Sequence, residues 1–261
     1  MSAISCRQLR KSFGDFEVLR GIDLEVEKGE LFGFLGPNGA GKTTTIRILT
    51  GLLQPSAGTV EIAGHDVVKH PQRVKRRVGY VPDRAFLYPK LTAREFLEFV
   101  GHLYQLDAGQ VERVSGRLLE RFDLMEWVDE LIESYSHGMR QKLAVTAALV
   151  HEPEIVVIDE PMIGLDPKSA RVMKTLLAEL VDRGRTVFLS THTLQVAEEL
   201  CSRVAIVQKG LVVARGTLDE LRLQAMADHG SLEAVFLRLT EDDDPPAVDD
   251  LRERRARKAA T

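Results

Sequence analysis

Residues 36–44 read Gly-Pro-Asn-Gly-Ala-Gly-Lys-Thr-Thr, and 36–43 fit the pattern G-x-x-x-x-G-K-[ST]. The segment follows the unbroken apolar run Leu31-Phe32-Gly33-Phe34-Leu35 and precedes Ile46, Leu49 and Leu53 at helical spacing over 43–53. Strand, glycine loop and helix in that order commit the chain to an α/β fold. The loop also dictates chemistry. A triphosphate is a concentrated anion, and backbone N–H groups can grip it where the chain turns tightly and no side chain intrudes. Gly36, Gly39 and Gly41 meet that need, and the following helix aims its N-terminal dipole at the phosphates. Lys42 is predicted to reach the β- and γ-phosphates and Thr43 to bind Mg²⁺. Pro37, Asn38, Ala40 and Thr44 complete the predicted ATP-binding loop.

The flanking segments set the frame. Residues 3–9 and 16–26 alternate, with Ile22, Leu24 and Val26 on one face and Asp23, Glu25 and Glu27 on the other. This is the pattern of half-buried strands, and Gly14-Asp15 suits a turn between them. Two further apolar runs, Ile155 to Ile158 and Thr186 to Leu189, read as strands covered on both faces. Between them, Asp166-Pro167 caps a helix that ends near Gly184. Residues 84–150 differ in character. Thr92-Ala-Arg-Glu95 is a capping box, Phe96, Phe99, Val100 and Leu103 form an apolar stripe, and helical patterns recur at 109–122 and 138–150. The expectation is an α/β fold: a P-loop core with a mostly parallel sheet, an N-terminal antiparallel β subdomain and an inserted helical subdomain at about 84–150. The ATPase domain is expected over 1–240, and the charged tail at 241–261 reads as solvated and flexible.

Ligands bind parallel sheets beyond the carboxyl ends of the strands. Asp159 ends one buried strand, where a carboxylate is costly without a metal or hydrogen bonds, and it is read as a Mg²⁺ ligand. Glu160, next in the chain, is expected to point toward an attacking water and to orient and partly deprotonate it. His192 follows another buried strand and is expected to donate a hydrogen bond to the γ-phosphate.

The composition, 44% hydrophobic and 28% charged with net charge −4, is that of an ordinary globular protein with no call for nucleic acid as its main partner. The cluster Arg73, Lys75, Arg76 and Arg77 reads as a solvated basic face. Cys6 and Cys201 lack metal spacing and read as reduced thiols. The chain opens with charge before any apolar stretch, against a secretory signal, and no run is long enough to span a bilayer. A membrane role would come through a partner.

The order of motifs resembles the nucleotide-binding subunit of ABC transporters over roughly residues 3–217. It comprises the loop at 36–44, Tyr135-Ser136-His137-Gly138-Met139-Arg140-Gln141, Ile155 to Glu160, Gly164-Leu165-Asp166-Pro167 and Ser190-Thr191-His192. The resemblance implies that 135–139 is the signature segment, with Ser136 and Gly138 contacting the γ-phosphate held by a second copy. It implies that Phe13 stacks on adenine and that Asp166 belongs to a loop crossing the dimer interface, besides capping its helix. Two positions depart from the family. Gly79-Tyr80-Val81-Pro82 leads to Asp83 where Gln is usual, so Asp83 is read as a Mg²⁺ ligand through water. The signature is Tyr-Ser-His-Gly-Met, a substituted form resembling export-type systems with separate membrane subunits.

The resemblance further implies a homodimer that sandwiches ATP and a membrane permease docked near residues 83–105. The chain would lie peripherally on the cytoplasmic face of the membrane. A soluble regulator acting on ribosomes or DNA is the rival reading. It is disfavoured by the single cassette and the lack of sustained heptads.

Overall fold

The computed structural model describes residues 2–224 and 232–240; the charged tail at 241–261 lies outside them. The chain opens with β1 (Ser2–Phe13) and β2 (Phe16–Glu27), antiparallel about the turn at Gly14-Asp15. With β4 (Ala57–Ile62) and β5 (His65–Asp66) they form an antiparallel sheet in the order β2-β1-β4-β5. The expected alternation holds, with Ile22, Leu24 and Val26 buried and Asp23, Glu25 and Glu27 exposed.

The second sheet runs β10-β9-β3-β8-β7-β6. Its strands are β3 (Leu31–Leu35), β6 (Val78–Val81), β7 (Ile155–Asp159), β8 (Thr186–Thr191), β9 (Arg203–Gln208) and β10 (Leu211–Gly216). All pair in parallel except β10, which returns antiparallel to β9. The apolar runs are unbroken because both faces of this sheet are covered. In β3, Leu31 and Leu35 enter one core cluster while Phe32 and Phe34 enter the other. The same split separates Val156 and Ile158 from Ile155 and Val157, and Val187 and Leu189 from Phe188. On one face Phe188 packs against Phe32 and Phe34, with ring centroids 6.0 and 5.4 Å away.

Helix α1 (Lys42–Leu49) follows the glycine loop. It stops short of the predicted residue 53, because Gly51 takes a left-handed φ of 67° and the amides of Leu52 and Leu53 both bond the Arg47 carbonyl. The short α2 (Pro71–Lys75) precedes β6. Between β6 and β7 lie α3 (Ala93–Leu103), α4 (Ala108–Arg121) and α5 (His137–Leu149). The capping box is present, with Thr92 and Glu95 each accepting from the other's backbone amide. The stripe on α3 splits, however. Phe96 and Leu97 are buried, whereas Phe99 is 39% and Leu103 65% exposed. Leu103, Val100 and Phe96 border an open groove of about 440 Å³, although Phe96 also belongs to the core and Val100 packs against it. The chain continues through α6 (Pro167–Asp182), α7 (Leu194–Leu200), α8 (Leu218–Gln224) and α9 (Leu232–Thr240).

At the C-terminal end of α5, the His151 ring stacks on Tyr104, with centroids 3.8 Å apart and planes within 9°, and its Nε2–H donates to the Val78 carbonyl at 3.2 Å. Burial pushes its pKa down from 6.5 to about 4. The folded protein therefore holds this ring neutral where an unfolded chain would protonate it. The resulting stability is complete above pH 6.5 and is lost as the pH falls toward about 4. A His151→Phe variant keeps a ring in the stack but cannot titrate. Thermal melts across this range are expected to show wild type losing stability more steeply than the variant; parallel melting curves would contradict the assignment.

Candidate functional site

Three loops at the carboxyl ends of β3, β7 and β8 converge. The first is the glycine loop. A Cβ on Gly36 would overlap the Val207 carbonyl, and one on Gly41 would lie 2.6 Å from Leu19 Cδ2. Gly41 also adopts φ 103° and Gly39 φ 82°, values that favour glycine. The loop is stitched to its neighbours, since the Gly210 amide donates to the Ala40 carbonyl and the Gly210 carbonyl accepts from the Arg20 amide. Pro37, Asn38 and Gly39 form the exposed crest. Lys42 is buried at the start of α1, where its Nζ donates to the Gly36 carbonyl at 2.6 Å and the Pro37 carbonyl at 3.1 Å. Burial pulls its pKa down, while the charges of Glu160 and Asp159 oppose that shift. The first-turn amides of α1 have no acceptor within the helix and are available to an anion.

The second loop begins at Asp159, a carboxylate only 2% exposed. Ser190 Oγ donates to its Oδ1, and Thr43 Oγ1 donates to its Oδ2 at 3.1 Å. Burial raises the Asp159 pKa, and the two hydroxyl bonds recover part of the shift. Thr43 and Asp159 are both hard oxygen donors and meet at one point, which is the donor chemistry Mg²⁺ selects. Asp83 is exposed and among the described residues accepts from the Arg84 amide alone, yet its charge contributes to raising the Asp159 pKa. Thr43 and Asp159 could hold a divalent cation, and among the described residues no hydrogen bond joins Asp83 to either.

Glu160 turns out of β7 at φ 52°. Its amide donates to the Ser190 carbonyl at 2.9 Å. Its Oε2 accepts from Thr191 Oγ1 at 2.9 Å, and its Oε1 accepts from the His192 amide at 2.9 Å and from His192 Nδ1 at 2.6 Å. Glu160 and His192 were expected in one site, and they sit there in direct contact. Sequence reading missed Ser190 and Thr191 as their supports. The β7–β8 register, which pairs Asp159 with Ser190, decides those roles.

Other predicted residues stand apart from this frame. Ser136 caps α5 by accepting from the Met139 amide at 3.3 Å. A Cβ on Gly138 would lie 2.8 Å from the Gly164 carbonyl, and one on Gly164, at φ 77°, would overlap the His137 ring. The start of α5 is thus packed onto the loop that follows Glu160. Asp166 caps α6 by accepting from the Ser169 amide at 2.9 Å and Ser169 Oγ at 2.6 Å, bonds that hold its carboxyl below the usual range. Phe13 is half exposed at the hairpin tip, with Lys11 Nζ 5.1 Å above its ring. Thr44 is partly exposed on α1. Among the described residues no hydrogen bond joins Phe13, Ser136, Gly138 or Asp166 to the glycine loop.

Comparison with known proteins follows this geometry. A family model described as ABC transporter matches residues 19–163. The daunorubicin resistance ATP-binding protein DrrA3 of Streptomyces coeruleorubidus is 41% identical over 87% of this chain and 72% of its own. The linearmycin resistance ATP-binding protein LnrL of Bacillus subtilis is 36% identical over 84% of this chain and 70% of its own. A solved ATP-binding subunit of an ABC transporter superposes with TM-score 0.88 at 33% identity, covering 92% of this chain and 100% of that one. A dimeric ATP-binding cassette in a post-hydrolysis state with ADP and phosphate gives TM-score 0.76 at 25% identity, covering 82% and 98%.

The crowding at Gly36 predicts a double defect. Gly36→Ala must displace backbone, at a cost of about 1–3 kcal/mol, and it deforms the loop expected to grip the phosphates. A lower denaturant midpoint together with lost ATP affinity is expected; an unchanged midpoint would show that the loop yields freely.

Proposed function

The chain belongs to the ABC transporter family, as an ATP-hydrolysing subunit that powers transport through partner membrane subunits, and on that premise we propose how its residues divide the work. The observation that carries the reading is the hydrogen-bonded frame Thr43–Asp159–Ser190 and Glu160–Thr191–His192, which ties the ends of β3, β7 and β8 together.

Residues 36–44 wrap the phosphates with backbone amides, and Lys42 exchanges its carbonyl partners for β- and γ-phosphate oxygens. Thr43 and Asp159 would hold Mg²⁺, with Asp83 contributing through water, and a cation bound there would supply positive charge beside the phosphates. Glu160 orients the attacking water and accepts its proton, with Thr191 and the His192 backbone amide fixing the carboxylate. His192 turns a ring N–H to the γ-phosphate, and Phe13 stacks on adenine.

Such a site is half of a shared one. Ser136 and Gly138, at the N-terminus of α5, meet the γ-phosphate of a second copy, and the Asp166 loop crosses between the copies. The ATPase domain spans 1–240, with the helical block at about 84–150 as its insertion. No described helix is long and apolar enough to cross a membrane. The groove bordered by Tyr80, Pro82, Phe86, Phe96, Val100 and Leu103 receives a helix of the membrane subunit, placing the chain on the cytoplasmic face. Transport runs outward.

Two measurements test these assignments. Glu160→Gln is expected to keep ATP affinity within a few-fold while turnover drops about 10²–10⁴-fold; hydrolysis at the parent rate refutes the role given to Glu160. Leu103→Asp places a charge in the groove, far from the phosphates. It is expected to leave ATP binding intact and to abolish co-purification with the membrane subunit, and undiminished co-purification would move the docking site elsewhere.

A further inference from the structure

A second cavity, of about 250 Å³, lies where α4 passes α6. It is separate from the nucleotide site and from the groove beside α3, sharing no lining residue with either. One wall belongs to the helical block between β6 and β7, the other to a helix packed on β8 and β3 of the core sheet.

Its floor is apolar, built by Val114 and Leu118 of α4 and Leu176 and Leu180 of α6. Its rim is cationic: Arg117, Arg121, Arg183 and Arg185 face only Glu152 and Glu179. Glu179 is already taken. Arg121 Nη1 and Nη2 donate to its two oxygens at 2.6 and 2.9 Å, and Arg183 lies 3.8 Å away. That pairing holds the Glu179 carboxyl below its ordinary range. Neither Arg117 nor Arg185 forms an ion pair among the described residues. The Arg117 Nε–H donates to the Arg113 carbonyl at 3.2 Å, which leaves its terminal amines free for an acceptor.

Guanidinium groups without carboxylate partners beside an apolar floor select a ligand of two parts. A bare inorganic anion would satisfy the arginines and leave the floor wet. A neutral hydrocarbon would cover the floor and strip water from the guanidiniums without replacing their hydrogen bonds. The volume lies just under the ~300–1,000 Å³ of drug-sized pockets, so the occupant is small. We propose that this cavity binds a small organic anion with an apolar body, such as a carboxylate on a short alkyl or aryl group. Arg117 and Arg185 hold the head, and Val114, Leu118, Leu176 and Leu180 take the body. An occupant of this kind touches both the helical block and the core sheet's helix layer, so it binds across their junction.

The test uses the full chain, methyl-labelled at Val and Leu, titrated with octanoate, octanol or inorganic phosphate. Octanoate is expected to shift the Val114, Leu118, Leu176 and Leu180 methyls saturably, with octanol and phosphate at least about tenfold weaker. Replacing Arg117 and Arg185 together by Gln is expected to weaken octanoate about tenfold or more while ATP affinity stays as in wild type. The proposal is overturned if octanoate gives no saturable shift, if the shifts fall on other methyls, if octanol matches octanoate, or if the double variant binds octanoate like wild type. The octanoate–octanol comparison on the unmodified chain decides the matter even where the double variant fails to fold. None of these outcomes depends on the roles proposed for the nucleotide site.

Discussion

A carboxylate buried at the end of an apolar strand is the constraint around which this molecule is arranged. Taking an ion such as Asp159 out of water costs several kcal/mol even after relaxation. Hydrogen bonds to a charged group return about 1.5–3 kcal/mol each, and Asp159 has two, from Ser190 and Thr43. The balance stays against the charge, which is why its pKa remains above the usual carboxylate value. The deficit fixes the surroundings. Thr43 must lead α1 toward β7, β8 must pair so that Ser190 stands opposite Asp159, and the chain must leave β7 sharply at Glu160. The pairing of β7 with β8 and the start of α1 are what bring these two hydroxyls to the carboxylate.

Much of this could be read from the residues. The runs 31–35, 155–158 and 186–189 are typical of strands covered on both faces, and in the structure their apolar residues divide between two cores. The antiparallel hairpin was equally plain, since Ile22, Leu24 and Val26 alternate with acids. The glycine loop announced its conformation through Gly39 and Gly41. What stayed hidden depended on register or on termination. Ser190 and Thr191 are common residue types with no local pattern, and their roles come from which atom of β7 they face. Apolar spacing carried the reading of α1 on to Leu53, although Gly51 ends the helix. Periodicity also put Phe99 and Leu103 on an inward stripe, because spacing alone cannot tell a core from a groove.

The frame also joins distant parts of the chain. Gly210, in the turn between β9 and β10, bonds both the glycine loop and β2. A side chain there would overlap the Val18 carbonyl, so backbone packs on backbone with nothing between. The hairpin formed by β1 and β2 and the glycine loop are thereby linked through one backbone residue.

The contact among His137, Gly138 and Gly164 works on a different scale. Neither glycine has room for a methyl group, and the imidazole occupies the space beside Gly164. A change at one of these positions alters the space left at the other. A bulkier residue at 164 would require both a left-handed backbone that resists it and a smaller neighbour at 137. A smaller residue at 137 would leave a gap against the loop after Glu160. Positions 137 and 164 lie twenty-seven residues apart in sequence, yet they share one volume, so an exchange at either changes the packing between α5 and the loop after Glu160.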